Sequence, residues 1–112
     1  MNKESINVFG ASGFIGSNYC KLFSDCIIQE KNNRKPKTNN ILYFISTVDN
    51  YNVFKDLTLD VKTNLNILCE LLENCKKGKF IINFISSWFV YGQTQMPVNE
   101  KSICKPKGFY SI

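Results

Sequence analysis

The chain is 112 residues long, 44% hydrophobic and 21% charged, which is the usage of one ordinary globular domain and not of a disordered chain. Folding at this length hides about 60–70% of the unfolded surface, enough for one core. Net charge is +5, and Cys20, Cys26, Cys69, Cys75 and Cys104 form no CxxC pair, so no disulfide framework or structural zinc site is expected, while the lack of histidine excludes a His-dependent metal site and Ser-His or Cys-His catalysis within these residues.

No apolar run reaches the roughly 18 residues of a membrane span, so no membrane partner is expected. Met1 to Ser5 is polar and only a short apolar burst follows, unlike a secretory signal. Reduced thiols then point to a cytoplasmic protein. Positive charge is clustered at Lys31, Arg34, Lys35 and Lys37, at Lys76, Lys77 and Lys79, and at Lys101, Lys105 and Lys107. Such clusters suit solvated loops or a phosphate-bearing small ligand. No aromatic stacking pattern or helix-turn-helix accompanies them, and nucleic acid is not an expected partner.

Along the chain, Ile6, Val8 and Phe9 read as a first strand that Gly10 stops. Phe14, Ile15, Tyr19, Leu22 and Phe23 then recur at helical spacing, and Ser24-Asp25 ends that helix. Cys26-Ile27-Ile28 opens a second strand. Glu30 to Asn40, with Pro36 and several asparagines, breaks both periods and reads as a loop. Ile41 to Ile45 is an unbroken apolar run, expected to be a strand covered on both faces.

A helix follows, with Val61, Leu65, Leu68 and Leu72 as its buried stripe and Ile67 and Leu71 widening it. Lys76 and Lys77 suit its C-terminal dipole, and Gly78 is the expected C-cap. Phe80 to Ile85 reads as another buried strand, and a loop with Gly92, Pro97, Pro106 and Gly108 leads to Tyr110. Strands alternating with helices predict an α/β fold: a Rossmann-type doubly wound parallel sheet with helices on opposite faces.

Three motifs could carry chemistry. The first, Gly10-Ala11-Ser12-Gly13-Phe14-Ile15-Gly16, joins the first strand to the first helix. Gly10 permits the tight turn, Gly13 a close approach to a pyrophosphate, and Gly16 the packing of helix on strand. The helix N-terminus adds unpaired N–H groups and a positive dipole end. The second is Ile85-Ser86-Ser87-Trp88-Phe89-Val90-Tyr91-Gly92, directly after a strand, where such folds place ligands. The third is Tyr110, 23 residues after Ser87. Singly, Ser86 and Ser87 could cap a turn, and Tyr110 could be an ordinary surface tyrosine.

In this order the three motifs resemble the extended short-chain dehydrogenase/reductases, which include the NAD-dependent nucleotide-sugar epimerases and dehydratases. The resemblance runs from Ile6 to Ile112 and implies NAD or NADP as cofactor and a nucleotide-sugar as substrate. It implies cofactor contacts at Gly10, Ser12, Gly13, Phe14, Ile15 and Gly16, and near Asn64 in Asp60-Val61-Lys62-Thr63-Asn64-Leu65-Asn66. It implies Ser87 and Tyr110 as catalytic residues. The family writes its pair Tyr-x-x-x-Lys, and the lysine falls two positions beyond Ile112. Residues 1–112 are therefore expected to be the NAD(P)-binding part of a longer parent, cut before that lysine and the substrate domain and inactive alone. A homodimer of the full-length parent stays open.

Three departures shape this reading. Trp88 and Phe89 stand where the dehydratases carry an acidic pair, which leaves epimerisation or keto-reduction. The link from Gln29 to Ile41 is too short for the strand and helix usual there. Glu30 lies 20 residues after Gly10 and is the candidate for the adenosine ribose, yet Lys31 and Arg34 could receive a 2′-phosphate instead. The alternative function is a non-catalytic dinucleotide-binding or sensing module.

Overall fold

The computed structural model describes residues 5–49, 51–94, 97–107 and 110–111. Met1, Gly108 and Ile112, named above, lie outside the described residues. Four strands form one parallel sheet: β1 (Asn7–Phe9), β2 (Ile27–Ile28), β3 (Asn40–Tyr43) and β4 (Ile81–Phe84), in the order β2-β1-β3-β4. Helix α1 (Phe14–Leu22) connects β1 to β2, and α2 (Ile67–Cys75) precedes β4. This is the expected Rossmann-type α/β arrangement. Pairing β1 with β2 on one side and β3 on the other reverses the strand order at β1, and a crevice opens there.

Register puts Phe9, Tyr43 and Phe84 in one row across three strands. Their rings follow one another at 6.2 Å and 5.8 Å, the cross-strand contact that fixes a sheet. Phe9, Ile41, Tyr43 and Leu71 are the buried core, with Ile45, Leu68, Cys75, Phe80 and Ile82 packed against it. Side chains alternate along a strand, so Phe44 points to the face opposite Tyr43. Tyr19 of α1 meets Phe44 there at 5.7 Å. The two helices thus cover opposite faces.

Four expectations need correction. The stripe of α1 is not buried: Phe14 is 85% and Leu22 78% exposed, and within α1 only Gly16 is fully buried. The strand at Ile81–Phe84 is not covered on both sides. It is a sheet edge, with Ile81 63% and Phe84 52% exposed, because no described strand pairs with its outer side. The second helix is centred on Leu71, while Val61, Leu65 and Leu72 stay exposed. Its first part, Val61–Asn66, is π-helical, and the wider turn rotates the later residues out of the phase that a uniform 3.6 period predicts. Gly78 is not a left-handed cap. Lys76 closes the helix, and the ring of Phe80 lies over Gly78.

The connection between β2 and β3 is held by two buried polar side chains. Asn7 donates from Nδ2 to the Ile27 carbonyl (3.1 Å) and accepts the Lys37 N–H (2.8 Å). Gln29 donates from Nε2 to the carbonyls of Asn33 (2.9 Å) and Lys35 (3.1 Å). A backbone with no ladder partners thereby has its polar groups met by side chains. All five cysteines are free, and the thiols of Cys20 and Cys26 lie 3.3 Å apart.

The radius of gyration is 15.5 Å, against about 13 Å for a well-packed chain of this length. Stability therefore rests on few residues. Leu71→Ala should cost about 2–5 kcal/mol in urea denaturation, enough to unfold much of the population. Leu22→Ala should stay within about 0.5 kcal/mol.

Candidate functional site

β1 ends in a turn that only glycine takes readily. Gly10 has φ +81°, and a Cβ there would press on the backbone of Phe44 and Ile45 at 3.0 Å. The Gly10 carbonyl accepts the Gly13 N–H at 3.0 Å, and α1 begins with Gly13 as N-cap. Gly16, one turn on, rests against that same carbonyl, where a Cβ would collide with it and with Ala11. No side chain caps the helix and no acidic residue sits in its first turn. The N–H groups of that turn and the positive dipole end are left for an anion.

A cavity of about 730 Å³ opens beside this turn. Gly10, Ala11, Ser12 and Gly13 form one wall, Ile28, Gln29, Glu30, Lys31, Asn32 and Arg34 the second, and Phe44, Ile45 and Ser46 the third, with Thr63 and Ile67 closing it. Of the residues expected at a cofactor, Gly10, Ser12, Gly13 and Glu30 line it. Phe14, Ile15, Gly16 and Asn64 do not, although Gly16 sets the loop from behind.

Asn64 acts at one remove. Its Oδ1 accepts the Thr47 N–H at 2.7 Å, and its Nδ2 donates to Thr47 Oγ1 at 3.0 Å. Thr47 Oγ1 donates to the buried Asp60 carboxylate at 2.7 Å, which also accepts from Asn52 Nδ2 at 3.1 Å. This network holds the backbone just past Ser46 in the cavity wall. Thr47 has no sequence signal of its own. Asp60 and Asn64 lie four apart, and that helical spacing was the available hint.

The second wall carries the charge. Glu30 accepts from Lys37 Nζ at 2.6 Å and from Asn33 Nδ2 at 3.1 Å, and these bonds hold its carboxyl below the usual range. Arg34 donates from Nη1 to the Lys31 carbonyl at 2.7 Å, and its Nε lies 3.4 Å from Glu70 of α2 without an aligned hydrogen bond. Burial pushes the neighbouring Tyr43 phenol up to about 12, with Arg34 opposing the rise.

Ser87 and Tyr110 lie outside the cavity lining. Ser87 caps a 3₁₀ turn, Trp88–Tyr91, beyond β4, and its Oγ accepts the Phe89 N–H at 3.3 Å. Tyr110 meets Phe89 edge to face at 5.6 Å. Phe89 thus gathers both segments beyond the C-terminal end of the sheet. Trp88 is 60% exposed and stacks at an edge on Tyr91. Among the described residues no group of three His, Cys, Asp or Glu could hold a metal ion, and no helix is long and apolar enough to cross a membrane.

No family model matches the chain, and no curated protein matches it. Solved structures do. RMD from Pseudomonas aeruginosa, complexed with NADPH, superposes with a TM-score of 0.77 at 21% identity over 97% of this chain and 45% of that one. UDP-glucuronic acid 4-epimerase from Bacillus cereus, in complex with NAD, gives 0.73 at 22% identity over 96% and 47%. UDP-N-acetylglucosamine 4-epimerase from Methanobrevibacter ruminantium, in complex with UDP-N-acetylmuramic acid, gives 0.80 at 16% identity over 99% and 47%. The chain has their fold. It spans under half the length of these proteins.

Two measurements check this geometry. Asn64→Ala should leave the Thr47 amide unpaired, raise its hydrogen-exchange rate and cost about 1–3 kcal/mol. In an ultraviolet titration, one tyrosine should ionise only near pH 12. The native state then holds a proton that the unfolded chain releases, so this contribution to stability falls as pH rises from the ordinary phenol value of 10 towards 12.

Proposed function

We propose that the chain is the dinucleotide-binding part of an extended short-chain dehydrogenase/reductase, an NAD(P)-dependent enzyme that epimerises or keto-reduces a nucleotide-sugar. The observation that carries the reading is the cradle at Gly10, Gly13 and Gly16. It presents open helix amides to a cavity of dinucleotide scale, in a fold shared with NAD- and NADPH-complexed structures. Side chains on the first or third glycine would collide with the backbone of Phe44 and Ile45 or with the Gly10 carbonyl and deform that cradle, so the residues present fit the cofactor.

Gly10, Ser12 and Gly13 would hold the diphosphate, and the wall from Ile28 to Arg34 the adenosine end. When bound, the cofactor supplies a hydride acceptor. Tyr110 would take the proton of a sugar hydroxyl, and Ser87 would hydrogen-bond the same oxygen and hold it in line. A phenol of ordinary pKa about 10 is a poor base at neutral pH and needs a nearby cation. The family's lysine would lie two positions past Ile112. Trp88 and Phe89 cannot exchange a proton, which disfavours dehydration. Five free thiols suit a cytoplasmic protein.

The experiment compares the 112-residue chain with a version extended past Ile112. The short chain should bind NAD(P)H and show no turnover on nucleotide-sugars. The extended protein should turn over, and its Tyr110→Phe variant should lose about 10²–10⁴ in kcat while binding cofactor normally. An extended protein that binds cofactor without turnover would instead be the sensing module. The placement of Ser87 and Tyr110 outside the cavity lining favours that second reading.

A further inference from the structure

The second cavity wall bears on which dinucleotide fits, and this inference rests on the dinucleotide reading above. A site for an unphosphorylated adenosine ribose needs a carboxylate free to accept its hydroxyls, whereas a 2′-phosphate needs cations. Among the described residues Glu30 is the only carboxylate that lines the cavity, and both of its oxygens accept: Oε1 from Lys37 Nζ and Oε2 from Asn33 Nδ2. The engagement is built into the fold. The backbone N–H of Lys37 is fastened to the fully buried Asn7, and its ammonium also donates to the Ile28 carbonyl at 3.3 Å.

Cations surround this carboxylate, which is 62% exposed and holds one hydrogen bond on each oxygen. Lys31 and Arg34 line the same wall. Arg34 is not a free surface chain: its side chain is 16% exposed, tied to the Lys31 carbonyl and set against Glu70. Lys31, Arg34, Lys35 and Lys37 against Glu30 and Glu70 leave an excess of two positive charges around the wall. A guanidinium fixed in a half-enclosed wall suits a phosphate monoester better than a mobile lysine does.

We propose that the cavity selects the 2′-phosphorylated dinucleotide, with Lys31 and Arg34 reading the phosphate and Lys37 acting as the specificity-determining residue that withdraws Glu30 from the ribose. Lys37 does not line the cavity, so it works by positioning Glu30. The short connection between β2 and β3 makes this arrangement, because it brings residues 34 and 37 back beside the end of β2.

The test uses the 112-residue chain, NADH and NADPH by fluorescence titration, and 2′,5′-ADP against 5′-ADP by calorimetry. NADPH should bind about tenfold tighter than NADH, and 2′,5′-ADP tighter than 5′-ADP, with the difference shrinking as salt rises. Lys31→Ala, an exposed change that should not disturb folding, should weaken NADPH several-fold more than NADH. Arg34→Ala should do the same. Lys37→Met should free Glu30 and move the preference towards NADH. Equal or tighter NADH binding by the unaltered chain would overturn the proposal and leave the dinucleotide reading standing. Binding of neither nucleotide would overturn that reading and this proposal with it.

Discussion

One carbonyl oxygen, that of Gly10, organises the glycine-rich turn beside the cavity. It accepts the Gly13 N–H and lies against the bare Cα of Gly16. The first contact turns the chain from β1 into α1, and the second lets α1 approach the strand. The helix amides are therefore aimed at the cavity by the same contact that packs helix on sheet. Binding geometry and local stability cannot be varied separately here. Any side chain at position 16 would meet the Gly10 carbonyl and push the helix, with its first-turn amides, away from the strand.

The second constraint is the brevity of the segment between β2 and β3. Eleven residues, 29–39, must leave one sheet edge and return beside β1 at the centre. They contribute no strand, so their polar groups are met by Asn7 and Gln29, both buried. Asn7 occupies a core-facing strand position where an apolar residue would leave the Lys37 N–H without its partner. A buried polar residue at the start of β1 is the cost of a short connection. Its return is a wall of the cavity rigid enough to hold charges in fixed places.

What was legible in the sequence is what local sterics decide. The glycine spacing could be read because a positive φ at Gly10 and a close approach at Gly16 are demands on single residues. The strands could be read from apolar runs, and the parallel sheet from their alternation with helices. The burial of those elements was not legible. An apolar run such as Ile81–Phe84 looks the same whether or not another strand lies beside it, and the stripe on α1 looks the same whether or not anything covers it. The phase of the second helix was lost because one π-helical stretch adds rotation that a 3.6 period does not contain. The contacts of Thr47 with Asn64, and of Glu30 with Lys37, join residues 17 and 7 apart across loops. Composition and periodicity carry no record of such pairs.

The two halves of the candidate site differ in how firmly they are held. The glycine turn stands on the central strand β1 and on α1, and the cavity wall past β3 on a hydrogen-bonded network from Thr47 to Asp60. The hydroxyl-bearing end stands on a loop beyond β4, an edge strand, where the Phe89 N–H donates to Ser87 Oγ and the Phe89 ring meets Tyr110. Proton transfer tolerates far less displacement than does anion binding, because reacting atoms must meet within hydrogen-bond reach while a dipole acts over a turn of helix. Catalytic geometry of that kind needs rigid supporting elements around it. The described residues are accordingly more firmly built around the glycine turn than around Ser87 and Tyr110. Holding Ser87 and Tyr110 for chemistry requires further packing against the open side of β4, where Ile81, Phe84 and Ile85 stand exposed.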